Sequence, residues 1–248
     1  MSISPWAEPF AADGGDVGVV ILHGFTGSPR SVTPWGRALA AQGWTVRVPV
    51  LPGHGTSWRE MNRTTWQDWY AAAEAAIDEV RPRCRALFVM GLSMGGALAL
   101  RAAEQRADVV SGLVLVNPAV HSERPDRFLL PALSKIVPSF PGISNDIAKP
   151  GEDEGAYDRL PLRAAHSMTR LWAAVKSDIA SVSAPLLLFR SVQDHVVEPS
   201  NAAWILANVS SSERTEVLLE NSYHVATIDH DAPLIEQGSI DFVRRLAG

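Results

Sequence analysis

Ala86-Leu87-Phe88-Val89-Met90-Gly91-Leu92-Ser93-Met94-Gly95-Gly96 is the stretch on which the fold turns. Its first part, Ala86 to Leu92, is an apolar run too short for a helix, so it reads as a strand buried on both faces. Helical spacing follows from Met94 to Ala107. Between them lies Gly91-Leu92-Ser93-Met94-Gly95, a serine set among glycines at a strand-to-helix turn. A serine at such an elbow takes strained backbone angles and lifts its hydroxyl at the C-terminal edge of the sheet. Its neighbours must be small because Cβ atoms there would collide.

The same alternation runs outward in both directions. Val17 to Leu22, Thr45 to Val50, Gly112 to Val116, Pro185 to Phe189 and Thr215 to Leu219 are further short apolar runs, all expected to be strands buried on both faces. Arg37 to Ala41, Trp66 to Val80, Ala202 to Asn208 and Pro233 to Leu246 carry helical spacing. Strands alternating with helices imply an α/β protein with a mostly parallel central sheet flanked by helices. One connection breaks the rhythm. Residues 119–165 contain six prolines and an apolar patch at Phe128, Leu129, Leu130, Leu133, Ile136 and Val137. Connections of that length are usually lids or insertions, so the expected division is a core of residues 1–118 and 166–248 with a small cap over 119–165.

A serine hydroxyl attacks poorly until a base removes its proton, and the base needs a carboxylate to orient it. Asp194, in Gln193-Asp194-His195, comes shortly after one strand, and His224, in Asn221-Ser222-Tyr223-His224, after the next. The order Ser, Asp, His at successive strand ends is that of α/β-hydrolases. Ser93 is therefore the expected nucleophile, His224 its base and Asp194 the orienting acid. Asp229 and Asp231 are the nearest alternative acids, and their place before Pro233 suggests instead that they cap the last helix. An oxyanion needs donors, and the loop His23-Gly24-Phe25-Thr26-Gly27 after the first strand is suited to aim one. The backbone amides of Phe25 and Met94 are the expected pair. His23 and His54 read as structural histidines.

Composition narrows the partners. The chain has 248 residues, 46% hydrophobic and 20% charged, with a net charge of -5, which suits one globular domain and excludes disorder and fibrous repeats. No basic stripe is available for nucleic acid. A single cysteine, Cys84, rules out an internal disulfide and multi-cysteine metal sites, and fits a reducing, cytoplasmic setting. The first basic residue is Arg30, so no secretory leader is expected, and no apolar run is long enough for a membrane span. There is no His-Glu-x-x-His, and glycines at 91, 95 and 96 match neither a dinucleotide loop nor a P-loop. No metal and no cofactor are expected. The apolar cap patch is a candidate for accepting an acyl chain, and for transient membrane contact or dimerisation.

His23-Gly24-Phe25-Thr26-Gly27, Gly53-His54-Gly55-Thr56, Gly91-Leu92-Ser93-Met94-Gly95-Gly96, Asp194-His195-Val196-Val197 and Asn221-Ser222-Tyr223-His224-Val225-Ala226-Thr227 together resemble the bacterial monoacylglycerol lipases. Small bacterial carboxylesterases share several of these motifs. The resemblance runs nearly end to end and is weakest in the cap. It implies hydrolysis of a lipid ester, 1(3)- or 2-monoacylglycerol, to fatty acid and glycerol. It also implies an acidic glycerol contact within Ala156-Tyr157-Asp158-Arg159, which points to Asp158, with pairing to Arg159 or Arg163 as the alternative use of that carboxylate. Ile147 is implied, by the same likeness, to line the entrance. Three other functions stay open: a broad carboxylesterase on short to medium acyl esters, a silent lipid-binding hydrolase fold, and a thioesterase or acyltransferase, for which no basic CoA-binding cluster is evident.

Overall fold

The computed structural model describes Ser4, residues 7–142 and residues 144–248. The apolar runs pair into a seven-stranded sheet. Its strands are β1 (Phe10–Ala12), β2 (Val17–Leu22), β3 (Thr45–Val48), β4 (Ala86–Leu92), β5 (Val110–Val116), β8 (Leu186–Ser191) and β9 (Arg214–Leu219), in the order β1-β3-β2-β4-β5-β8-β9. All neighbours are parallel except β1, which lies antiparallel on β3. The expected α/β architecture is therefore present, with β1 as an additional antiparallel edge that three residues of sequence did not announce.

Helices α1 (Thr33–Ala40), α3 (Trp66–Val80), α4 (Met94–Gln105), α6 (Leu162–Asp178), α7 (Ser200–Asn208) and α8 (Ala232–Ala247) cover the sheet, with the short α2 (Trp58–Met61) before α3. Strand β4 explains why both faces need cover. Leu87 and Val89 join a core with Trp69, Ile77, Leu98 and Leu171, while Phe88 and Met90 join one with Trp35, Phe189, Phe242 and Val243. Each fully buried large apolar side chain contributes about 1.5–3 kcal/mol.

One expectation needs correction. β9 is not buried on both faces: Arg214, Thr215, Glu216 and Leu218 are exposed, and only Leu219 is fully buried. It is the sheet's edge, and its polar residues are what an edge carries. Helix α6, which the sequence reading does not include, carries its apolar face on Leu162, Met168, Leu171, Trp172 and Val175, with Ala164, Ala165 and Ser167 buried between them.

Within residues 119–165 lie α5 (Leu130–Ile136) and a two-stranded antiparallel sheet of β6 (Ser139–Pro141) and β7 (Arg159–Pro161), in which Phe140 faces Leu160. Phe128, Leu129 and Ile136 are exposed here. Among the described residues, no helix is long and apolar enough to cross a membrane.

Candidate active site

The strand ends of β2, β4, β5, β8 and β9 meet at one edge of the sheet. Ser93 sits between β4 and α4 with φ 56° and ψ -118°, a left-handed conformation that non-glycine residues rarely adopt. Its amide donates to the Val116 carbonyl at 2.9 Å, and its carbonyl accepts from Gly96 and Ala119. The flanking glycines are sterically required. A Cβ on Gly95 would stand 2.0 Å from the Leu22 carbonyl oxygen, and one on Gly91 would stand 2.2 Å from the Gly95 carbonyl.

Asp194 and His224 are brought together from the ends of β8 and β9. Asp194 Oδ2 accepts from His224 Nδ1 at 2.8 Å, and Oδ1 accepts the amides of Val196 and Val197, both at 2.8 Å. Both side chains are nearly fully buried. Burial pulls the His224 imidazole downward, but the hydrogen bond and charge of Asp194, with the carboxylates of Glu154 and Asp146, outweigh it and hold it above the ordinary value. For Asp194 burial acts upward, and His224 with the two amides holds the carboxyl below its ordinary range. The pair is thus built to stabilise an imidazolium.

Asn117 joins this pair to Ser93. It follows β5 at φ 44°. Its Nδ2 donates to the His224 carbonyl at 2.8 Å and to Ser191 Oγ at 3.0 Å, and its Oδ1 accepts the Ser191 amide. Its neighbour Val116 is the residue that holds the Ser93 amide. No motif announces Asn117; the signal in the sequence is an asparagine directly after a buried strand, since asparagine tolerates positive φ.

The loop after β2 lies against Ser93, for a Cβ on Gly24 would be 3.4 Å from the serine Cβ. Among the described residues, the amides of Phe25 and Met94 donate to no protein acceptor; Met94 opens α4, where the helix itself offers none. His23 fixes this loop. Its Nδ1 donates to the Gly24 carbonyl and its Nε2 accepts the Leu51 amide, so the ring is neutral. Burial pushes its pKa down to about 4. His54 stacks edge-on against it at 4.9 Å and is likewise buried.

Residues 119–165 bond to the loops around Ser93 and His224 at several points. Asp158 is exposed, its carbonyl accepting the Gly142 amide. Arg159 donates to Ser139 and Arg163 to the Ser134 carbonyl. Ile147 packs against the core cluster containing Val225 and Ile228. The neighbour Tyr157 ties its motif to the core: its hydroxyl donates to the Gly53 carbonyl and accepts the Thr56 amide, and its own amide donates to the Thr26 carbonyl. Glu154 Oε2 lies 3.4 Å from where a Gly27 Cβ would stand, and Oε1 accepts the Asn145 amide. Burial raises the Glu154 carboxyl, opposed by that amide and by the His224 charge. Asp229 and Asp231 do not cap the last helix with their carboxylates. Asp229 accepts the amides of Tyr223, Ala148 and Lys149, and Asp231 accepts from Asn221. Among the described residues no cluster of three His, Cys, Asp or Glu side chains is arranged to hold a metal.

The family model Hydrolase_4, described as serine aminopeptidase, S33, matches residues 16–231. A thermostable monoacylglycerol lipase of Bacillus sp. (strain H-257) is 41% identical over 98% of this chain and 96% of its own. A carboxylesterase of Bacillus subtilis (strain 168) is 25% identical over 96% of this chain and 97% of its own. A solved structure from work on the metagenome-derived lipolytic enzymes LipS and LipT superposes with a TM-score of 0.95 at 39% identity, covering 98% of this chain and all of that one.

Proposed function

Since the chain belongs to the Hydrolase_4 (serine aminopeptidase, S33) family, we propose that it hydrolyses monoacylglycerols to fatty acid and glycerol through an acyl-enzyme on Ser93. The observation that carries the chemistry is the buried 2.8 Å pair of His224 and Asp194 at the sheet edge that also holds the strained Ser93. The substrate class rests on the 41% identity to a monoacylglycerol lipase over nearly the whole chain.

His224 takes the Ser93 proton as the hydroxyl attacks the ester carbonyl, and Asp194 stabilises the imidazolium. The amides of Phe25 and Met94 receive the oxyanion. Glycerol leaves with the proton from His224, and water repeats the two steps on the acyl-enzyme. The polar end of the site is acidic. Glu154 lies within the electrostatic reach of His224 and close to Gly27, which favours it over the exposed Asp158 as the acceptor for glycerol hydroxyls. The exposed Phe128, Leu129 and Ile136 suit transient contact with the lipid aggregates in which such substrates reside, and the lone Cys84 suits a cytoplasmic setting.

The test is turnover of 1-monolauroylglycerol beside methyl laurate and dilaurin, with Ser93→Ala as control. A strong preference for the monoglyceride, lost in the control, is expected. Equal rates on the methyl ester would mean a general carboxylesterase, the activity named for the 25%-identical relative.

A further inference from the structure

Asp146 lies in the cap, yet its carboxylate is spent on the loops of the candidate triad. Oδ2 accepts the backbone amide of His224 at 3.1 Å and that of His195, the residue after Asp194, at 3.2 Å. Oδ1 stands 2.8 Å from His195 Nδ1, and the Asp146 carbonyl accepts the Val225 amide at 3.1 Å. The side chain is only 11% exposed. His195 is kept in place on its other side by Tyr223, whose ring meets it edge-on at 4.6 Å. The attachment is reciprocal, because Asp229, five residues past His224, accepts the Ala148 and Lys149 amides at 2.7 and 2.9 Å.

We propose that Asp146 is a positioning residue: by holding the backbones of His224 and His195 on one oxygen, it sets the separation at which His224 and Asp194 meet. The inference rests on the triad reading above. A hydrogen bond between two side chains depends on where their backbones stand, and His224 and Asp194 come from different strand ends. Amide bonds to an ionised acceptor are about twice as strong as neutral ones, so a single buried carboxylate is an economical way to register two loops. It follows that the cap segment around Asp146 is part of the mounting of the catalytic base rather than a cover that lifts away. The charge has a second effect. His224 faces three carboxylates, Asp194, Glu154 and Asp146, and Asp146 itself faces His195, His224 and Glu154.

The test compares Asp146→Ala, Asp146→Asn and Asp194→Asn on 1-monolauroylglycerol, with active sites counted by a fluorophosphonate so that rates refer to folded enzyme only. Asp146→Ala is expected to lower kcat by about tenfold to a hundredfold with KM nearly unchanged, the cost of slight misplacement of a reacting group. Asp146→Asn keeps an acceptor for the amides and loses the charge. It should recover most of kcat while the acid limb of kcat/KM moves to lower pH, because His224 has lost one of three stabilising carboxylates. A kcat per labelled site within twofold of wild type in Asp146→Ala would overturn the proposal. If the alanine variant does not fold, an unmoved acid limb in Asp146→Asn overturns it instead. Should Asp194→Asn itself retain wild-type turnover, the triad reading fails first, an outcome distinguishable from a dead Asp194→Asn beside an unaffected Asp146→Ala.

Discussion

Ser93 holds a conformation that costs of order 1–3 kcal/mol and persists only where the surroundings over-determine it. Those surroundings are the Leu22 and Gly95 carbonyls, pressed so close that only glycine fits at 95 and 91. Gly95→Ala should destabilise the fold by about 3 kcal/mol and abolish turnover, measurable by urea denaturation beside an ester assay. Asp194→Asn should lower kcat by about 10⁴ with little loss of stability. Because His224 must be neutral to accept the Ser93 proton and is held above its ordinary 6.5, the acid limb of kcat/KM should fall above that value. Glu154→Gln should shift the limb to lower pH and raise KM for the monoglyceride, whereas Asp158→Asn should change neither.

At the level of elements, the site is a junction of strand ends, and Asn117 ties three of them. Replacing it by alanine strands the Ser191 amide and the His224 carbonyl in a buried place and forces a positive φ on a residue that resists it. Asn117→Ala should therefore cost about 2–4 kcal/mol and lower kcat with it. The contrast with Ser93 explains what sequence could disclose. The elbow, the apolar strands, and an acid and a histidine just past successive strands are local patterns, written within a few residues of one another. Asn117, Asp146 and Glu154 act on partners far away along the chain: Asn117 reaches His224 across 107 residues and Asp146 reaches it across 78. A lone acid in a proline-rich loop has no periodicity to betray its target. Motif likeness points to Asp158, which is exposed, and says nothing of Tyr157 and Glu154, whose partners Gly53 and Asn145 no motif names.

The whole molecule carries its titrating histidines on two sides of neutrality. His23 and His54 are buried neutral, with folded values below 6.5, about 4 for His23. Below 6.5 the unfolded chain binds protons that the folded one refuses, so stability declines between about 6.5 and 4, by ~3 kcal/mol for His23 alone. His224 has the opposite sign. Its raised value contributes fully below 6.5 and is lost as pH rises through the folded pKa. Asp194, held low, adds a further loss only as pH falls below its ordinary 3.8. The histidine contribution to melting temperature should thus peak near pH 6.5, and His23→Gln should lessen the loss of stability on acidification. On the outer surface, Phe128→Ser with Ile136→Ser should weaken co-sedimentation with lipid vesicles while leaving turnover of a monomeric, water-soluble ester unchanged.

The crossed carboxylates between cap and core also bear on how such proteins can be recombined. Asp146 reaches down to the His224 loop while Asp229 reaches up to Ala148 and Lys149. A cap transplanted from a relative would therefore have to bring an acid at the place of Asp146 and a backbone that offers two amides to Asp229. If Asp146 positions His224 as proposed, the graft boundary runs through that support, and a chimera that breaks these bonds is expected to lose turnover as well as stability.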